Sequence, residues 1–220
     1  MKQTIPLVAL VAALHAANPV WAHTEAHKHA ADTQAPSAAG SSAAATVAPA
    51  PQDARSYFTD LELVTQDGRK VRFYSDMLEG RTVVINVIYT TCQDACPLIT
   101  QQLNEVRQRM PELFGKQVFF VSLSSDPKRD TPKALKQFAK KQNADVEGWT
   151  FLTGRQDHID HILKKLGQYS ETIEGHSTLL IAGNVPAKRW SKILANAPAE
   201  AIALRLSVLA GASDAALAKP

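Results

Sequence analysis

Apolar residues from Thr82 onward follow two patterns, a continuous run typical of buried strands and a spacing typical of helices. Thr82–Tyr89 is β-branched and apolar at nearly every position, which favours a central strand covered on both faces. Val118–Leu123 is predicted to be a second buried strand. Helical spacing begins at Pro97 and again at Thr131-Pro132. This order of strands and helices predicts a parallel βαβ unit.

Further elements are predicted on both sides of this unit. Tyr57–Val64 and Val71–Tyr74 flank Asp67-Gly68, a pair favoured in tight turns, and predict an N-terminal β-hairpin. A short strand, a helix, a strand and a last helix follow, at Trp149–Leu152, Asp157–Leu166, Thr178–Ala182 and from about Ala199. The whole set predicts an α/β sandwich with helices packed on a central sheet.

The first 22 residues have the pattern of a secretory signal peptide. Lys2 precedes the apolar run Ile5–Leu14, and the segment closes with Val20-Trp21-Ala22. The run is shorter than the roughly 20 apolar residues that a membrane-spanning helix requires. We therefore expect residues 1–22 to be cleaved and the product to reach the periplasm, with an uncleaved N-terminal membrane anchor as the alternative.

Residues 23–52 are predicted to be a flexible linker, because Ala, Ser, Pro and Thr dominate them and burial cannot offset their ordering entropy. The remaining stretch, 53–220, suits one folded domain. Three histidines open the linker: His23, His27 and His29. Two interpretations stay open for them, loose capture of Cu(II) and a solvated tail with no specific role.

The charge of the chain excludes some classes of partner. Its formal net charge is +3, and Lys and Arg are scattered rather than clustered. This balance indicates neither a nucleic-acid partner nor a membrane-binding surface. We therefore expect contact with a membrane only through a protein partner.

The chemistry of the sequence concentrates at Cys92 and Cys96, the only two cysteines, where the predicted central strand gives way to its helix. A spacing of four places both sulfurs on one side of the first helical turn, where unpaired N–H groups favour thiolates. Thiolates serve both metal binding and disulfide exchange. A structural disulfide is the alternative, but so small a loop removes little entropy from the unfolded chain. We interpret the pair as a functional dithiol.

A third donor, His176, precedes the predicted strand Thr178–Ala182, and in a thioredoxin-type sheet that loop lies beside the dithiol. Two thiolates and one imidazole suit copper, as Cu(I) or Cu(II), whereas zinc usually takes a fourth protein ligand. A lone histidine is more often a surface residue, but the two cysteines favour a ligand here. His158 and His161 have no cysteine or carboxylate cluster beside them and are interpreted as surface histidines.

The segment Asp126–Pro132 is principally a helix-start sequence, because Asp and Thr before proline are ordinary capping residues. It follows the second buried strand and is therefore expected at the same edge of the sheet as the cysteines. On this ground Asp126 is a hypothetical hydrogen-bond partner that orients His176.

Three motifs in this order resemble the Sco/SenC family of copper proteins: Cys92-x-x-x-Cys96-Pro97, Ser124–Pro132 and His176-Ser177. The resemblance implies a thioredoxin-like fold with a central mixed sheet flanked by helices, and one copper ion held by Cys92, Cys96 and His176. The family is associated with the binuclear copper centre of cytochrome c oxidase, by copper delivery, by reduction of its cysteines, or by both. The implied partners are the copper-bearing oxidase subunit or another exported cuproprotein, and a periplasmic thiol reductant or copper donor.

The sequence departs from the family pattern at three places. Gly175 stands where an aspartate is common, Gln93 replaces a frequent proline, and residues 183–186 lack the usual Asp-Pro-x-Gly turn. We expect the first departure to alter ligand orientation or redox potential.

Three classes of function follow from these residues. A metallochaperone uses His176 as a ligand. A dedicated thiol-disulfide oxidoreductase needs only Cys92 to attack a partner disulfide and Cys96 to resolve the mixed intermediate, so these two would be its catalytic residues. A peroxidase-like enzyme would need peroxide-positioning groups, which the motifs do not supply.

Overall fold

A computed structural model describes residues 54–211. The predicted signal peptide, the whole predicted linker with its three histidines, and residues 212–220 lie outside this range. The described helices are α1 Ala54–Phe58, α2 Ala95–Gln108, α3 Pro132–Lys141, α4 Gln156–Leu166 and α5 Ala199–Ala210, with a π-helical segment at Phe73–Leu78. The described strands are β1 Glu62–Thr65, β2 Lys70–Arg72, β3 Thr82–Ile88, β4 Val118–Ser124, β5 Trp149–Gly154, β6 Leu180–Asn184 and β7 Arg189–Ile193.

The strands form one mixed sheet in the order β2-β1-β5-β4-β3-β6-β7. Strands β3, β4 and β5 run parallel, and the outer strands on both sides pair antiparallel to their neighbours. Every residue of β3 is buried, as predicted for a strand covered on both faces. The sheet confirms the predicted mixed α/β architecture and its N-terminal hairpin.

Helices cover both faces of the sheet over two separate cores. One core joins α2, α3 and α5 to the sheet and contains Cys96 among its buried residues. The other joins α1, the π-helical segment and α4 to the opposite face. Within residues 54–211, no helix has the length and apolar character needed to cross a bilayer.

The local predictions around the hairpin were partly wrong. Tyr57 and Phe58 belong to α1 rather than to the first strand, and Phe73 begins the π-helical segment. The buried ring of Phe58 packs edge-on against Phe73, with centroids 6.4 Å apart. Thr59, directly after α1, has a φ of 62°, a value seldom adopted by a β-branched residue. Aromatic packing thus overrides the strand propensity of these residues.

Two strands near the end of the sheet also differ from the prediction. Strand β6 begins at Leu180 rather than Thr178, because the Leu179 N–H donates to Ser177 Oγ at 3.2 Å instead of joining the sheet. Strand β7 was not predicted. It lies at the edge of the sheet and buries only Ile193, so its polar sequence carries no alternating apolar signal.

Candidate metal centre

Both cysteines lie at the carboxyl end of β3, where the chain turns into α2. The turn is closed by the Cys92 N–H, which donates to the Tyr89 carbonyl at 3.1 Å. Pro97 occupies the first turn of α2, as predicted. Both cysteines are free thiols. Cys92 is partly exposed and Cys96 is fully buried.

The two sulfurs have different protonation behaviour. The Cys96 N–H donates to Cys92 Sγ at 3.3 Å. Burial is the largest single influence on the Cys92 thiol and opposes its ionisation, but hydrogen bonds from Cys96, the Asp94 N–H and Tyr89 together lower its pKa. Burial, the hydrogen bond with Cys92 and the nearby charges of Cys92 and Asp130 raise the pKa of Cys96 to about 12. The dithiol therefore has one easily ionised sulfur and one protonated, buried sulfur.

A buried carboxylate, Asp130, fixes the start of the cysteine turn. It accepts hydrogen bonds from the Thr90 N–H at 3.1 Å and the Thr90 hydroxyl at 2.6 Å. Its other oxygen accepts from the Ser124 hydroxyl at 2.6 Å. Because Ser124 ends β4 and Thr90 follows β3, Asp130 ties the cysteine turn to the ends of two central strands.

This role of Asp130 was not predicted from the sequence, and the role predicted for Asp126 is not observed. The Asp126 carboxylate is buried and pairs closely with the Arg129 guanidinium. Among the hydrogen bonds of residues 54–211 none joins Asp126 to His176, although both residues line one cavity of about 260 Å³. The sequence signal for Asp130 was its position directly before the helix-capping Thr131, whose Oγ1 accepts the Ala134 N–H at 3.2 Å.

His176 lies in the segment between α4 and β6, at the same end of the sheet. The side chain is largely buried, and its Nδ1 lies 3.2 Å from the Ser177 carbonyl oxygen. Its ring packs edge-on against Tyr89, with centroids 5.7 Å apart and an interplanar angle of 83°. A hydrogen bond to the Cys92 sulfur, with burial, raises the pKa of Tyr89 to about 12. Tyr89 thus contacts both His176 and Cys92, a role that was not predicted from the sequence.

The segment before His176 is folded tightly on itself around Gly175. The Gly175 N–H lies 3.1 Å from Thr172 Oγ1 and 3.2 Å from the Thr172 carbonyl oxygen. A Cβ at Gly175 would lie 2.4 Å from Ser170 Oγ and 2.7 Å from Thr172 Oγ1. The aspartate common in the Sco/SenC pattern would therefore displace both hydroxyls from their present positions.

The structure thus brings the three predicted donors to one end of the sheet without joining them in a ready-made cluster. In the part of the chain that the structure describes, no group of three His, Cys, Asp or Glu residues is spaced to hold a metal ion. The donor types fit copper, since soft sulfur and imidazole ligands favour it. His158 and His161 lie on α4, where the His158 Nδ1 is 2.9 Å from the Glu62 carbonyl oxygen, away from these donors.

The fold and the site define a thioredoxin-like protein with a free dithiol at the carboxyl end of its central strand and a histidine nearby. The sequence model of the SCO1/SenC family matches residues 49–181, more than half of the chain. The chain therefore belongs to the SCO1/SenC family.

Similar proteins support this assignment. The SCO1 protein homolog of Bacillus subtilis is 34% identical over 101 residues, which are 46% of this chain and 51% of the relative. The chain thus spans about half the length of the curated relatives that it matches. A SCO1/SenC family lipoprotein from Bacillus anthracis superposes with a TM-score of 0.60 at 28% identity, over 70% of this chain and 94% of the other.

Two further solved structures carry the same fold. ScoI from Bradyrhizobium japonicum, solved with copper bound, has a TM-score of 0.56 at 25% identity and covers 67% of this chain and 96% of the other. BsSco, described as having a disulfide switch and as a member of the Sco family of cytochrome c oxidase assembly proteins, has a TM-score of 0.58 at 25% identity. Its match covers 71% of this chain and 94% of the other. These likenesses confirm the predicted thioredoxin-like fold.

Proposed function

We propose that this chain binds one copper ion through Cys92, Cys96 and His176 and hands it to a recipient copper protein. The observation that carries the proposal is the free dithiol at the start of α2, linked through Tyr89 to the imidazole of His176. Two sulfurs and one ring nitrogen form a soft donor set that suits Cu(I) and leaves room for a further ligand to Cu(II). The copper-bound structure of the relative ScoI supports the choice of metal.

The two cysteines enter copper binding by different steps. Cys92 has the lowered pKa and the partly exposed sulfur, so it is the first sulfur to reach an arriving ion. Cys96 must then lose its proton, because only a thiolate serves as a strong ligand. Copper binding therefore releases a proton from Cys96, and copper affinity increases with pH until Cys96 is already deprotonated in the copper-free protein.

His176 completes the site by a local rearrangement. Tyr89 contacts both the imidazole and the Cys92 sulfur, and the described residues hold no ready-made group of three metal donors, so we expect Tyr89 or residues 169–179 to shift when His176 binds the copper. A site that closes on arrival of the ion also opens for its release, which is what transfer to a recipient requires.

The recipient in this proposal is the copper-bearing subunit of cytochrome c oxidase or another exported cuproprotein. Support comes from family membership and from the description of the relative BsSco as an oxidase assembly protein. The compartment is the periplasm, reached by cleavage after Ala22, with residues 23–52 as the linker and 53–220 as the domain. An uncleaved N-terminal anchor would keep the same domain at the membrane surface.

The asymmetry of the dithiol favours a second function, reduction of a disulfide in the recipient. The Cys92 thiolate attacks one sulfur of the partner disulfide, forms a mixed disulfide and expels the other partner sulfur as a thiolate. The Cys96 thiol then loses its proton, attacks Cys92 Sγ and releases the second partner sulfur. Two electrons pass to the partner, and an external dithiol reductant must restore Cys92 and Cys96.

Copper titration of the reduced protein tests the proposal. We expect one copper per chain, with sulfur-to-Cu(II) charge-transfer absorption, and an affinity lowered about tenfold in His176→Ala. His161→Ala, which removes an exposed histidine from α4, is the matched control. Deletion of residues 23–29 should leave the stoichiometry unchanged if the domain holds the metal. If the parent and His176→Ala bind copper equally and both still reduce disulfides, His176 is not a ligand and the result supports the disulfide-reductase function instead.

A further inference from the structure

A cavity of about 480 Å³ lies on the face of the sheet opposite to Cys96. Phe58 of α1, Leu166 at the end of α4 and Ile181 of β6 form its apolar lining, and all three belong to the core on that face. The volume is within the range of roughly 300–1,000 Å³ that is typical of small-molecule sites. None of the residues of the proposed copper site lines this cavity.

Aromatic rings form its walls. The rings of Phe58 and Trp190 lie 4.9 Å apart, and about a third of the Trp190 surface is exposed. Gly183 makes room for the indole, because a Cβ at this position would lie 2.3 Å from the Trp190 ring. Tyr57 lies at the other side, where its hydroxyl donates to the Lys165 carbonyl at 2.8 Å. The cavity therefore offers flat apolar surfaces to a ligand.

The charged side chains at the cavity are all cationic. Lys165, Lys188 and Lys192 line it, and the lining contains no Asp or Glu. In the described part of the chain none of these lysines forms an ion pair with a carboxylate. Lys188 also adopts φ of 53°, a left-handed conformation more often taken by Gly or Asn. Lys165 Nζ lies over the Tyr57 ring, 4.9 Å from its centroid, whereas Lys188 and Lys192 stand beside the apolar cavity with no carboxylate partner among the described residues.

These features select one class of ligand. An inorganic anion would leave the aromatic walls unused, and a neutral apolar molecule would leave the lysines unused. A cationic ligand would be repelled. We infer that this cavity binds an amphipathic anion, a flat aromatic or short aliphatic body that carries one carboxylate or sulfonate.

Fluorescence titration of the full chain with 1-anilinonaphthalene-8-sulfonate tests this inference. N-phenyl-1-naphthylamine has the same rings without the sulfonate and serves as the matched neutral probe. We expect saturable binding of the sulfonate, energy transfer from Trp190 that is lost in Trp190→Phe, and displacement by decanoate but not by decyltrimethylammonium.

Charge-reversal variants locate the bound anion. Lys188→Glu/Lys192→Glu should weaken sulfonate binding about tenfold while changing the affinity for the neutral probe by less than about twofold. Lys133→Glu/Lys140→Glu changes the net charge equally at exposed lysines of α3 and should leave both affinities unchanged. Circular dichroism checks that each variant is folded. Absence of saturable binding, or equal weakening by the two double variants, would overturn the inference.

Discussion

The cysteine turn, residues 89–96, and the histidine segment, residues 169–179, supply donors to the same candidate site but are built differently. In the cysteine turn, Thr90 is bound to the buried Asp130 and Cys96 is packed in the core. In the histidine segment every hydrogen bond joins residues no more than three positions apart. In the proposed copper site, the two sulfur donors are therefore in place before copper arrives, and we expect the imidazole to be added as the ion binds.

Gln168, directly before the histidine segment, strengthens this contrast. Its side chain is 2% exposed, yet neither its amide nitrogen nor its oxygen has a hydrogen-bond partner within residues 54–211. A buried unsatisfied amide costs about 1–3 kcal/mol. The present conformation of this region is therefore not strongly favoured over alternatives that satisfy Gln168.

The largest expected effect is the loss of copper binding in cysteine variants. Cys92→Ala and Cys96→Ala should each lower copper affinity by more than about 100-fold, because each removes a thiolate from a three-donor set. His176→Ala should lower it by a smaller factor, on the order of tenfold, because both thiolates remain. Competition with a Cu(I) chelator measures all three. Equal losses of copper affinity in the three variants would contradict a site whose two sulfur donors are in place before copper binds.

The next effect is on folding stability. Asp130→Ala should lower the free energy of unfolding by about 2–4 kcal/mol, because Thr90 and Ser124 lose a shared charged acceptor in a buried site. Ser170→Ala in the histidine segment should change it by less than about 0.5 kcal/mol. Urea unfolding of the reduced, copper-free protein gives both values. A large loss in Ser170→Ala would show that the two regions are equally constrained.

A further prediction concerns thiol reactivity. The thiolate is the reactive form, so a thiol with a lowered pKa reacts at lower pH than one with a raised pKa. Cys92 should therefore be alkylated by iodoacetamide at pH 7 at least about tenfold faster than Cys96, whose rate should keep rising toward pH 12. Mass spectrometry of partly alkylated protein resolves the two sites. Faster alkylation of Cys96 would reverse their proposed order of action.

The smallest effect is expected at Gly175. Gly175→Asp restores the common family residue and displaces the hydroxyls of Ser170 and Thr172. Because these hydroxyls bond only within their own segment, the free energy of unfolding should fall by less than about 1 kcal/mol. Thermal unfolding measures the change, with Gly183→Ala as a contrasting variant whose Cβ would strike the Trp190 ring. If Gly175→Asp lowers the free energy of unfolding as much as Gly183→Ala does, the histidine segment is rigid.

Sequence reasoning worked best where a local pattern and the packing agree. The buried strand β3, the Pro97 turn and the Thr131 cap all carry their own signals and are observed as predicted. Features that depend on distant contacts were missed. Asp130 and Tyr89 acquire their roles only when β3, β4 and the histidine segment meet.

Hydrogen exchange measured with and without Cu(I) tests the central claim most directly. We predict that amides of residues 169–179 exchange much faster than those of β3 without copper, and that copper slows them in the parent protein. In His176→Ala, saturated with Cu(I), the same amides should stay fast, while His161→Ala should behave like the parent. Unchanged exchange of this segment in the parent, or equal protection in His176→Ala, would contradict assembly of the site through His176.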